Sequence, residues 1–140
     1  MRSKSDWATR PLDDELGEAL RAELLGWPGM TARPVMGCLT FFHGKHMLGS
    51  YVNRDLAKKK TEWLNRRDEP TLVWVRLRKE DAERALRRLG VTQSRLGFPG
   101  WIEIPLQSRA MLEEAVRWFG HAYEHPPRTV PNKRRRAPRR

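Results

Sequence analysis

The sequence has little cysteine and no long apolar run, and each absence excludes a class of protein. Cys38 is the only cysteine among 140 residues, so an intramolecular disulfide is impossible and a reducing compartment is favoured. No apolar run approaches the roughly 20 residues that span a membrane, and the charged N-terminus lacks the apolar region of a secretory signal. We therefore expect an unanchored protein in the cytoplasm.

Acidic residues are absent from the end of the chain, where basic residues are concentrated. The whole sequence has 28 Lys and Arg against 17 Asp and Glu, a net charge of +11. After Glu124 there are seven basic residues and no acidic one, so the preceding part carries 21 basic against 17 acidic residues, or +4. Blocks of like charge are usually disordered interaction segments. The composition predicts a flexible arm over residues 1–11, one domain over 12–125 and a disordered basic tail over 126–140.

Residues 31–52 are predicted to form the centre of that domain. Two runs of β-branched, aromatic and apolar residues, 38–42 and 46–52, are separated by the short link 43–45, which contains a glycine. This pattern predicts an antiparallel β-hairpin. Because side chains alternate along a strand, both faces of the hairpin carry bulky residues, and both need cover.

The remaining pattern predicts helices before, between and after further strands. Helical spacing is found in residues 12–26, 79–89 and from Ser108 onward, and a short helix fits 53–70; strand patterns are found in 71–77 and 101–104. These elements predict an α+β domain with a small antiparallel sheet of about four strands. We expect the helices to pack mainly on one face of the sheet.

Two segments of this domain resemble the N-terminal domain of the TfoX/Sxy family of competence regulators. The entry Arg33-Pro34-Val35-Met36-Gly37 precedes the apolar hairpin, and Gly100-Trp101-Ile102-Glu103-Ile104-Pro105 precedes an amphipathic helix that contains Trp118. The resemblance covers roughly residues 30–125. It implies a small α+β domain with a regulatory or binding role and without established catalytic residues.

Cys38, His43 and His46 are the one cluster whose residue types suit a metal or a nucleophile. Three donors across a hairpin are one fewer than a structural zinc site uses, and a reactive thiol needs a base beside it. We expect Cys38 to pack as a small apolar residue and the two histidines to be solvated. No cofactor or metal is therefore assigned, and a small Cys/His enzyme or metal-binding protein is kept as an alternative.

Basic residues give the strongest functional signal. The candidate nucleic-acid-binding residues are Lys58, Lys59 and Lys60 in the body, with Lys133, Arg134, Arg135, Arg136, Arg139 and Arg140 in the basic tail. Cations of this kind bind phosphates without reading sequence. They would equally suit an acidic protein partner or loose contact with any polyanion, so both alternatives stay open.

The six tryptophans allow two interpretations. Trp63, Trp74, Trp101 and Trp118 lie in predicted elements where the apolar stripe needs bulk, which favours core packing. The alternative is that some of them line an exposed groove and stack on bases.

Overall fold

The computed structural model describes residues 11–53 and 70–127, which form a six-stranded antiparallel sheet and three helices. In chain order the elements are α1 Glu15–Leu25, β1 Met30–Val35, β2 Cys38–His43, β3 His46–Val52, β4 Leu72–Arg76, α2 Lys79–Ala85, β5 Thr92–Gln93, β6 Trp101–Pro105 and α3 Arg109–Glu124. The strand order across the sheet is β1-β2-β3-β4-β6-β5. The α+β class is confirmed, whereas the expected number of about four strands is wrong.

The two additional strands are the edges of the sheet. β1 pairs with β2 through residues that include Pro34, opposite Leu39, and β5 contributes only Thr92 and Gln93 beside β6. Proline cannot donate to a ladder and is tolerated on an edge, while a two-residue strand leaves almost no periodic pattern. Sequence periodicity therefore misses both strands.

The predicted hairpin of β2 and β3 is confirmed. His43 pairs with His46, so the reversal is a two-residue turn of Gly44 and Lys45, with Gly44 at a φ of 63°. Glycine suits this position because it adopts a positive φ without steric cost. The register shifts between Phe41 and Phe42, which marks a β-bulge in the hairpin.

One face of the sheet packs against the three helices. Leu39, Phe41, Val73 and Ile102 of the strands are fully buried in the same cluster as helix residues such as Phe119. Alternation along each strand explains why these positions share one face. The helices described here thus contribute to one continuous core on that side.

The opposite face of the sheet is also buried. Cys38, Val52, Leu72 and Trp74 form a second apolar cluster, with Leu96 and Trp101 packed against it. The indole N–H of Trp74, a member of that cluster, donates to Glu103 over 3.0 Å. Burial on both faces of the sheet explains why the hairpin carries bulky residues on both of its faces.

The helix boundaries differ from the predicted ranges. α1 begins at Glu15 rather than residue 12, and α2 ends at Ala85 rather than 89. Leu89, expected on the apolar stripe of α2, is 92% exposed because turns replace the helix before Gly90. The predicted cap of α3 is confirmed, since the Ser108 hydroxyl accepts from the backbone N–H of Met111.

No helix in residues 11–53 and 70–127 is long and apolar enough to cross a membrane. The predicted helix over 53–70 lies almost wholly outside the described residues, as does the predicted arm except for Pro11.

Candidate nucleic-acid interface

The nine cations predicted to bind nucleic acid all lie outside the described residues. Lys58, Lys59 and Lys60 fall between the two described ranges, and Lys133, Arg134, Arg135, Arg136, Arg139 and Arg140 follow the last described residue. The structure does show where the basic tail starts, because Pro126 and Pro127 are described. Their surroundings define the part of the molecule from which the tail leaves.

Pro126 and Pro127 line a groove of about 880 Å³ beside the start of α2, which we call the basic groove. Its cationic lining is Arg76 at the end of β4, Arg78 in the link that follows, and Lys79 at the start of α2. Leu77 and Gly100, which also line the groove, are in close backbone contact. The N–H of Leu77 donates to the carbonyl of Gly100 over 2.8 Å, and a Cβ at Gly100 would lie 2.6 Å from the Leu77 oxygen.

The groove cations differ in how strongly they are already engaged. Arg78 binds Asp81 over 2.9 Å and lies 3.8 Å from Glu80. Arg76 and Lys79 form no ion pair with any residue in the described ranges. Glu80 and Glu83 also line the groove, which leaves its three cations an excess of one charge. The groove alone is thus a modest cationic surface, and the tail that leaves it carries most of the charge.

Asp81 holds Arg78, one of the cations of the basic groove, in place. Its carboxylate is fully buried and receives Arg78 and Arg84, at 2.9 and 3.1 Å. The Nδ1 atom of His121 on α3 lies 3.7 Å from the same carboxylate. A buried carboxylate with two arginine partners is compensated, so Asp81 orients Arg78 and Arg84 along α2.

A second concavity of about 430 Å³ lies at the end of α3, and we call it the tryptophan cleft. Trp27 and Pro28, which follow α1, form one side; Gly120, His121 and His125 form the other. The two concavities share no lining residue, but His125 of the tryptophan cleft directly precedes Pro126 of the basic groove in the chain.

Aromatic contacts hold the side of the tryptophan cleft that comes from the turn after α1. The hydroxyl of Tyr123 donates to the Pro28 carbonyl over 2.7 Å, and the Trp27 ring meets the Tyr123 ring edge-on at 5.3 Å. The His43 ring stacks on the Tyr123 ring, with the two ring centres 4.2 Å apart. The indole N–H of Trp27 donates to Glu23 over 3.1 Å. The turn is thereby attached to both α1 and α3.

The structure places His43 opposite His46 in the hairpin and separates Cys38 from both. Cys38 begins β2 and His43 ends it, so five strand steps place them about 17 Å apart along the strand. Cys38 is 2% exposed, and burial raises the pKa of its thiol to about 11. Among the described residues, no three His, Cys, Asp or Glu side chains are grouped so that they could hold a metal ion. This arrangement supports the packing interpretation of Cys38.

The tryptophans divide between the core and the surface. Trp74 and Trp118 are each 3% exposed, as core packing predicts, Trp101 is partly buried, and Trp63 lies outside the described residues. Trp27 was missed as a site residue because the pattern Trp-Pro-Gly indicates only a turn. The folding of α1 against α3 brings it beside histidines that are about 94 to 98 positions away in the chain.

Comparison with known proteins adds no relative to this description. No family model matches the chain, and neither a curated protein nor a solved structure matches it.

Proposed function

We propose that this protein is a non-enzymatic binding module that associates with nucleic acid through its basic tail and the basic groove. The observation that carries the proposal is the position of Pro126 and Pro127. They line a groove with three cationic and two acidic side chains, and the seven cations of the tail follow in the sequence. A nucleic acid held by the tail would therefore lie next to the groove.

The two elements have different roles in this proposal. Each phosphate neutralised on duplex DNA contributes about −0.9 to the slope of log K against log salt, so seven tail cations would contribute roughly −6. Arg76 and Lys79 could add about −2 together by the same reasoning. The tail would supply most of the affinity, and the groove would set the position of the nucleic acid relative to the body.

The resemblance to the TfoX/Sxy N-terminal domain supports a regulatory rather than a catalytic role. Its entry motif, Arg33 to Gly37, forms the end of β1 and the tight link to β2. Its second motif is β6 with the preceding Gly100. We propose that the chain acts in the cytoplasm as a regulatory module of this kind, with the basic tail as its nucleic-acid tether.

Binding of the full chain to DNA and RNA across a salt series tests the proposal. We expect tight binding at low salt that weakens steeply as salt increases. A double variant, Arg76→Gln with Lys79→Gln, should weaken binding to all sequences and reduce the slope by about 2. The matched control is Arg87→Gln with Arg109→Gln, which removes two exposed cations outside the groove.

Two results would contradict the proposal in different ways. Absence of binding to either nucleic acid at low salt would reject the nucleic-acid role, and an acidic protein partner would then replace it. Equal losses in the groove and control variants would show that total charge, and not the groove, determines the affinity, and would remove the groove from the proposal.

A further inference from the structure

We propose that the tryptophan cleft binds an unpaired nucleobase, so that the preferred partner is single-stranded rather than duplex nucleic acid. This inference rests on the proposed function and specifies its ligand. It follows from four features of the cleft: its ring-bearing side chains, an open glycine at its base, its rigid attachment and the direct succession of its residue His125 by Pro126 of the basic groove.

The cleft presents flat side chains on two sides. Trp27 comes from the turn after α1, His121 from the last turn of α3, and His125 directly follows that helix. The His121 ring is fixed from behind by Trp118, with ring centres 4.7 Å apart and an interplanar angle of 29°. Stacking on aromatic rings is how single-strand binders hold bases without selecting a sequence.

Gly120 leaves the base of the cleft open. It lies on the same face of α3 as Arg117, His121 and Glu124, by the i, i+3, i+4 and i+7 spacing. A Cβ at Gly120 would meet only the far edge of the Trp27 ring, at 3.9 Å, which is ordinary contact. Glycine is unfavourable inside a helix, and no clash requires it here. Its effect on the structure is to leave space between α3 and Trp27.

The cleft is already formed without a ligand. Tyr123 holds Pro28 through its hydroxyl and carries Trp27 on its ring edge, and His43 of the hairpin stacks on Tyr123. A preformed site avoids the entropic cost of ordering side chains on binding. Its volume of about 430 Å³ lies within the ordinary range for small-molecule sites.

Charged groups at the rim suit a nucleotide. Arg117 can contact a phosphate, and the exposed Glu124 can accept from a base amino group. Next to them, the peptide from His125 to Pro126 leads into the basic groove with Arg76 and Lys79. A cationic groove beside a stacking platform is the arrangement that single-strand binding uses. In a duplex the bases are stacked and paired, so they could not enter the cleft without being extruded.

Competition between oligothymidylate and a duplex of the same length tests the inference with the full-length protein at low salt. We expect tighter binding of the single strand, with protection of Trp27 from oxidation in the complex. Trp27→Ala should weaken single-strand binding roughly 5- to 140-fold, the range expected when one base-stacking side chain is removed. The same variant should leave duplex binding nearly unchanged.

Two further variants keep the test independent of folding. Gly120→Ala adds one methyl group at the base of the cleft and favours the helix, so it should weaken single-strand binding in a protein that is no less stable. His125→Ala removes an exposed ring of the cleft and should also weaken it. His46→Ala removes an exposed histidine on the hairpin, outside the cleft, and should have no effect.

The outcomes separate the two proposals. Equal affinity for single strand and duplex, unchanged by the Trp27, Gly120 and His125 variants, would overturn the cleft inference while the proposed nucleic-acid role stands. Absence of binding to both ligands would reject both proposals. Selective loss of single-strand binding in all three variants, with His46→Ala unaffected, is the result that the inference predicts.

Discussion

The single thiol provides a test of the site at the scale of one residue. Cys38 is almost fully buried, and burial raises its pKa to about 11, so the reactive thiolate is scarce at neutral pH. We expect slow alkylation of the native protein and rapid alkylation after unfolding in guanidinium. Because the chain has one cysteine, mass spectrometry measures this rate without ambiguity. Native labelling as fast as that of the unfolded chain would restore the Cys/His alternative.

Glu103 makes a pH-dependent contribution to stability. Burial alone would raise its pKa, but hydrogen bonds from the Arg95 side chain and backbone and from Trp74 lower it below the ordinary value of 4.5. A lowered folded-state pKa stabilises the protein above the unfolded-state value, and this stabilisation is lost as pH falls through the folded-state pKa. The charged form of Glu103 is therefore the stabilising form.

Glu103→Gln should lower the free energy of unfolding by roughly 1.5–3 kcal/mol at neutral pH, because a charge-assisted pairing with Arg95 is lost. The deficit should shrink as pH falls below 4.5. Urea unfolding of both proteins at neutral and acid pH measures this difference. Glu113→Gln, at an exposed position, is the control. A deficit that stays constant with pH would show that the side chain acts through packing instead.

At the scale of an element, β3 depends on a close approach at Gly49. A Cβ there would lie 2.1 Å from the Trp74 carbonyl oxygen on β4 and 2.8 Å from the Phe119 ring of α3. Gly49→Ala should therefore cost about 1–3 kcal/mol or more in the free energy of unfolding, through forced displacement of the sheet or helix. Gly26→Ala, whose nearest atom would lie at 3.4 Å, is the matched control. Equal stability of the two variants in thermal unfolding would contradict this packing.

The elements that sequence predicts well are those with a complete local pattern. The hairpin, β4 and α3 each combine apolar periodicity with a turn glycine, a bounding proline or a capping serine, and tertiary packing agrees with these signals. β1 contains Pro34, and β5 has two residues, so neither has such a pattern. Leu89 was predicted to be buried but is exposed, because turns replace the last part of the predicted helix before Gly90. Edge strands and helix ends require the tertiary structure.

At the scale of the whole molecule, charge is predictable from sequence and concavity is not. Counting residues identifies the seven cations of the tail, since net charge needs no fold. The tryptophan cleft joins Trp27 to His121 and His125, and the basic groove joins Arg76 to Pro126. Each pair is brought together only when α3 packs across the sheet and against α1. Local pattern contains no information about these long-range contacts.

The most direct test of the central claim compares the full chain with a full-length variant in which the tail is neutral. In that variant Lys133, Arg134, Arg135, Arg136, Arg139 and Arg140 are all replaced by Gln. Duplex binding should weaken strongly at low salt, and the slope of log K against log salt should fall by about 5, because six phosphate contacts are removed. Unchanged affinity and slope would contradict the claim that the basic tail tethers this protein to nucleic acid.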